Sequence, residues 1–114
     1  MRDRGDRERG SVAAELALAL PAVVLTLLLG AGALGAASRQ VALQDSAADA
    51  ARLLGRGEDV GRASGAVAGA VPGASMSSGV SGDLVCVTAR ADVSIGSVIR
   101  LPLQATSCAL AGGL

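Results

Sequence analysis

From Leu16 to Ala37 the chain runs for 22 residues without a charge, reading LALALPAVVLTLLLGAGALGAA. At the helical rise of about 1.5 Å per residue, such a run covers roughly 33 Å. A bilayer's hydrocarbon core is about that thick and takes about 20 apolar residues to cross. The length and the lack of a polar face argue against a helix buried in a soluble core. Arg2, Arg4, Arg7 and Arg9 precede the run, and Arg39 alone follows it closely. An excess of basic residues marks the cytoplasmic side, so the N-terminus is expected inside and the residues from about 39 onward outside. The same charged start and apolar run also describe a secretory signal peptide. Ala31-Gly32-Ala33 and Gly35-Ala36-Ala37 both suit a small-x-small cleavage site, which would leave a secreted fragment beginning at Leu34 or Ser38.

Composition narrows the function classes. The chain has no Phe, Tyr, Trp or His, and all ten of its basic residues are arginine. Without His the common imidazole base and metal ligand are missing. Without aromatics there is no stacking platform for single-stranded nucleic acid. The formal net charge is zero, which argues against a binder held by phosphate contacts. A core of Ala, Val and Leu alone is thin for a chain of 114 residues, because small domains bury a modest share of their surface. The fold is therefore expected to lean on a membrane, a disulfide or neighbouring copies.

The junction ahead of the apolar run is the most informative stretch: Arg9-Gly10-Ser11-Val12-Ala13-Ala14-Glu15, leading into Leu16-Ala17-Leu18-Ala19-Leu20-Pro21. Glu15 stands where the apolar helix begins, and a carboxylate at that depth is costly without a partner. Cleavage after Gly10 would make Glu15 the fifth residue and give Ser11 a free amine. One subunit's Glu15 could then meet the amine of a neighbour and set an axial register.

This pattern resembles the type IV pilin signal, and more closely the TadE-like minor pilins of the tight-adherence pilus system. The resemblance covers residues 9–37 well and the outer region only in layout. It implies processing between Gly10 and Ser11 by a membrane prepilin peptidase, and assembly with other pilin-like subunits through Glu15. Ser11 departs from the N-methylated Phe that begins major pilins, which points to a minor or pseudo-pilin. A plain membrane anchor with Glu15 at the interface is the bland alternative.

Inside the run, Pro21 lacks an amide donor and is expected to kink the helix near residues 17–21. Ala31/Gly35, Gly32/Ala36 and Ala33/Ala37 are small-xxx-small pairs that permit close helix packing, although Ala/Gly bias alone also produces such pairs.

Beyond the run, residues 39–56 read as a continuing helix with Leu43, Ala47, Ala50, Ala51 and Leu54 in one apolar stripe. Asp45, Asp49, Arg52 and Arg56 line a solvated face, and Gly55 and Gly57 are placed to end the helix. A second short helix is expected over 58–71, with Val60, Ala63, Val67, Ala70 and Val71 inward. Pro72 to Gly79 reads as a loop. Leu84 to Val93 alternates as a half-buried strand, Ser94 to Ser97 reads as a turn, and Val98 to Ala105 as a second strand that Pro102 demotes to an edge. A short third strand follows over 106–110.

Cys86 and Cys108 are the chain's two cysteines. Outside the cytoplasm they are expected to pair. A metal site is not expected, because two thiols without His supply too few ligands. No active site emerges either: the serines have no His or Lys to activate them, and the glycines lack the Lys-Ser/Thr of a phosphate loop.

The sequence thus leads to an α+β chain. Residues 1–10 form a hydrophilic leader, 11–38 a transmembrane helix, and 39–114 an extracytoplasmic head in which the continuing helix packs with a small antiparallel hairpin or meander. Its expected setting is the bacterial cell membrane, single-pass. Its expected partners are the lipid bilayer, a prepilin peptidase and pilus assembly subunits, with no cofactor, nucleic acid or small-molecule substrate and no enzymatic role. The rival is a small secreted disulfide-bonded protein released near Ala37.

Overall fold

The computed structural model describes residues 4–95 and 98–112. In chain order they form helix α1 (Arg4–Gly55), helix α2 (Val60–Ala70) and strands β1 (Ser75–Ser81), β2 (Leu84–Ile95) and β3 (Ile99–Leu110). The strands make one open antiparallel sheet in the order β1-β2-β3. The chain divides into two compact units, Met1–Ala33 and Leu34–Leu114. The fold class is therefore α+β, as the sequence implies.

In the first unit α1 is helical without interruption through Pro21. The missing amide there leaves the carbonyl of Ala17 without its usual donor four residues on. Thr26 spends its hydroxyl locally, donating to the carbonyl of Ala22 (2.8 Å).

The second unit carries the core. Leu43, Ala47, Ala50 and Ala51 of α1 are fully buried, and Leu54 is half-buried beside them. They meet Ala63 and Val67 of α2, Val71, and the inner face of the sheet at Val87, Ala89, Ala91 and Ala105. The stripe read from the sequence is thus the face that packs. Ser46 sits buried among these residues because its hydroxyl donates to the carbonyl of Leu43 (2.9 Å), which meets the requirement that buried polar groups be paired.

The end of α1 is a Schellman motif. The amide of Glu58 donates to the carbonyl of Leu53 and that of Gly57 to Leu54, both at 3.0 Å. Gly57 occupies the left-handed position with φ 84°, so it is the stop residue. Gly55 is the last helical residue and has a different role, described below. Helix α2 follows as expected, but Val60 and Ala70 are exposed and only Ala63 and Val67 are buried within it. Val60 and Ala70 are the first and last residues of the helix, and Val71 just beyond it is buried as expected.

Three strand expectations need correction. Ser75–Gly79 is not loop: Ser75–Ser81 pairs along its whole length with β2. A polar run takes up strand geometry here because β2 offers it a continuous ladder, which outweighs its weak intrinsic preference. The β1–β2 connection is the two-residue turn Gly82-Asp83. Gly82 has φ 60° and Asp83 is not among the positive-φ residues, the combination that defines a type II′ hairpin. The expected second and third strands are one strand, β3, running through Pro102. Ser94 and Ile95, expected in a turn, extend β2 opposite Arg100 and Ile99. The rest of that turn, Gly96 and Ser97, lies outside the described residues.

Along β2 the burial alternates residue by residue, with Val85, Val87, Ala89, Ala91 and Val93 inward. This is the period-2 pattern of a sheet with one covered face.

Candidate functional site

Two features carry the chemistry that the sequence suggests: the first part of α1, and the bridged head.

Gly10, Ser11 and Glu15 all lie in regular helix on α1, and Ser11 and Glu15 are exposed. One turn separates Ser11 from Glu15, so both stand on the same side of the helix. A Cβ at Gly10 would meet nothing within 4 Å. The large side chains that follow are also uncovered, with Leu18 79% and Leu27 67% exposed. The segment is long and apolar enough to cross a membrane, and none of its most apolar window is buried. Of the small-xxx-small residues, Ala31 and Gly35 are exposed and Gly32 and Ala36 half-buried. Gly35 has open space where a side chain would stand.

In the head, Cys86 and Cys108 are direct cross-strand partners joined by a disulfide, with Cα atoms 4.0 Å apart. The bond lies on the sheet's outer face, away from the core. Two further pairs continue the same row. Thr88 and Thr106 share a hydroxyl hydrogen bond (3.1 Å), and the Arg90 Nε–H donates to Gln104 Oε1 (3.4 Å). The bridge ties β2 to β3 and leaves β1 to the ladder alone.

A contact that the sequence did not suggest explains how the head sits on its helix. Gln40 Nε2 donates to the carbonyl of Gln104 (3.0 Å) and Gln44 Nε2 to that of Thr106 (3.1 Å). Four helical residues rise about 6 Å and two strand residues about 6.6 Å, so the two spacings match. Strand β3 has β2 on one side only, and its other edge would be a row of unpaired backbone groups. The two glutamines occupy part of that edge. Because the groups of Gln104 and Thr106 point away from β2, alternation puts those of Pro102 on the same side. Its missing N–H therefore costs no bond in the β2–β3 ladder, which is why a proline is accepted mid-strand. The seam closes at the far end, where the amide of Gly112 donates to the carbonyl of Gly55 (2.8 Å).

The charged face of α1 forms the ion pair Arg52–Asp49 at 3.4 Å, with both side chains about two-thirds exposed (68% and 64%). Such pairs contribute little. Among the described residues there is no cluster of three or more His, Cys, Asp or Glu placed to hold a metal.

In comparisons with protein-family models, with curated proteins and with solved structures, nothing matches this chain.

Proposed function

We propose that the chain is a pilin-like subunit whose apolar helix stays in the membrane while its bridged head works outside the cytoplasm. Subunits would join through their helices into a tight-adherence-type pilus or a related secretion filament, with this chain as a minor or pseudo-pilin. The observation that carries the reading is the Gly10-Ser11-Glu15 junction, set at the start of an uncharged helix whose side chains the head's core does not use. A prepilin peptidase cutting after Gly10 frees the amine of Ser11. The Glu15 carboxylate, costly to bury alone, is then neutralised by the amine of an adjacent subunit. The division of labour in α1 supports this: its first part is left for lipid and other helices, and its second part builds the head.

The test is Glu15→Ala in the intact chain. Membrane insertion should persist, since the uncharged run is untouched, and incorporation into filaments should fall by an order of magnitude or more. Normal incorporation would remove the assembly role.

One observation favours a second reading. The compact head begins at Leu34, the residue that cleavage after Ala31-Gly32-Ala33 would leave first. The head has its own core and its own bridge. A small secreted protein released from its signal segment fits those facts without any filament. The readings part on fractionation: a subunit is recovered with membranes or filaments, a released head in the medium.

A further inference from the structure

The inner face of the sheet is covered unevenly. Val87 and Ala89 are fully buried and Ala105 is 4% exposed, but Leu101 is 37% and Ile99 46% exposed, and Val98, in the turn just before β3, is 89% exposed. Val93, opposite Leu101, is the last buried residue of β2, and Ile95, opposite Ile99, is half-buried. Toward the β2–β3 connection the sheet therefore continues past its helical cover, and the aliphatic side chains of Val98, Ile99 and Leu101 stand uncovered.

The direction of that end follows from the glutamine seam. Gln40 meets position 104, Gln44 meets 106 and Gly55 meets 112, so α1 and β3 run the same way. Going back from Gln40, the helix reaches Ala37 after about 4.5 Å, which is about one and a half strand residues. Leu101, Arg100, Ile99 and Val98 thus lie level with or beyond the turn Leu34–Ala37. That turn is the end of the uncharged run.

We infer that the tip of the β2–β3 hairpin is a second membrane contact, inserting Val98, Ile99 and Leu101 into the lipid surface that α1 enters. The inference rests on the reading in which α1 stays in the bilayer. Lipid is the occupant because the patch lies at the end of the head where the apolar run arrives. The charge order agrees. Arg100, between Ile99 and Leu101 in sequence, is exposed on the opposite face of β3, where a guanidinium on a long stem can reach lipid phosphates. The nearest acid on β2, Asp92, pairs with Pro102, farther from the tip.

The chain has no aromatic residue, so one introduced tryptophan is a clean reporter. Full-length Val98→Trp, Ile99→Trp, Leu25→Trp and Val80→Trp proteins would be placed in phosphatidylcholine vesicles with a minor share of phosphatidylglycerol, with and without brominated acyl chains. Val80 is 74% exposed and pairs with Val85, at the opposite end of the sheet from Ile95, about 33 Å along β2. Circular dichroism and an intact Cys86–Cys108 bridge check each fold. Interfacial segments sink about 5–10 Å into the headgroup boundary, so Val98→Trp and Ile99→Trp should shift to the blue and lose about half their emission to brominated lipid. Val80→Trp should do neither. If Leu25→Trp is quenched while Val98→Trp and Ile99→Trp behave like Val80→Trp, the tip contact is wrong and the anchored helix stands. If Leu25→Trp is not quenched, the membrane reading fails and the tip contact with it. A blue shift at the tip that grows with protein density and ignores brominated lipid would assign the patch to a second copy, and would overturn the inference.

Discussion

Gly55 lies so close to the carbonyl oxygen of Leu110 that a Cβ built on it would stand 2.7 Å from that atom. The obstacle is backbone, at the end of β3, and it cannot rotate away. The glycine is therefore needed for the approach of helix to strand, while Gly57 with φ 84° provides the stop. Ordinarily Gly→Ala in a helix stabilises by about 1 kcal/mol. Here Gly55→Ala should have the opposite sign and cost about 1–3 kcal/mol, the range for overpacking. Chemical denaturation of the full chain in detergent, compared with wild type, checks the sign.

The Cys86–Cys108 bridge closes a loop with a sequence separation of 22. Restricting the unfolded chain over such a loop is worth about 3 kcal/mol. The core it supports has Leu43 and Val67 among its largest fully buried side chains, so the loss should be conspicuous. Reduction, or the pair Cys86→Ser and Cys108→Ser, should lower the unfolding free energy by about 3 kcal/mol, read as a clear fall in the denaturation midpoint. An unchanged midpoint would mean that the ladder alone holds β2 to β3.

Leu43 is wholly buried where α1 meets the sheet. Leu43→Ala should cost about 2–5 kcal/mol, since a removed side chain leaves both lost burial and a cavity. The exposed Val41, 61% accessible on the same helix, should tolerate alanine within about 0.5 kcal/mol. Parallel melts of the two variants test whether the stripe is the packing face.

Removing both amide donors at the seam, as Gln40→Ala with Gln44→Ala, should leave the fold intact. The carbonyls of Gln104 and Thr106 are near solvent, so each lost bond is worth about 1 kcal/mol at most. The telling effect should be local: amide hydrogen exchange across residues 99–110 should speed up, with β1 unchanged. Equal acceleration in both strands would deny the glutamines a specific role at the β3 edge.

How much of this was legible before the structure depended on where each residue's partner lies. The stripe Leu43, Ala47, Ala50 and Ala51 and the alternation Val85 to Val93 were readable because burial imposes a period on a single element. Strand β1 was not, because Ser75, Ser77 and Ser81 face outward and its inward residues are Met76, Ser78 and Val80, too mixed to show a period. Pro102 argued for a break in β3 until the open edge of that strand was known. Gln40 and Gln44 looked like ordinary polar residues, since their role depends on which strand lies at the sheet edge. The Gly10-Ser11-Glu15 junction was conspicuous in sequence, yet nothing in the head's core depends on it. A residue whose proposed partner lies in another molecule leaves no mark on its own chain's core.

The most direct test of the pilin-like reading is the N-terminal sequence of the protein purified from the envelope of cells that carry the pilus machinery. A processed pilin-like subunit begins at Ser11, and that start should disappear in a strain lacking the prepilin peptidase. A mature chain beginning at Leu34 or Ser38 would contradict the subunit reading in favour of a secreted head, and one beginning at Met1 would leave a plain membrane anchor.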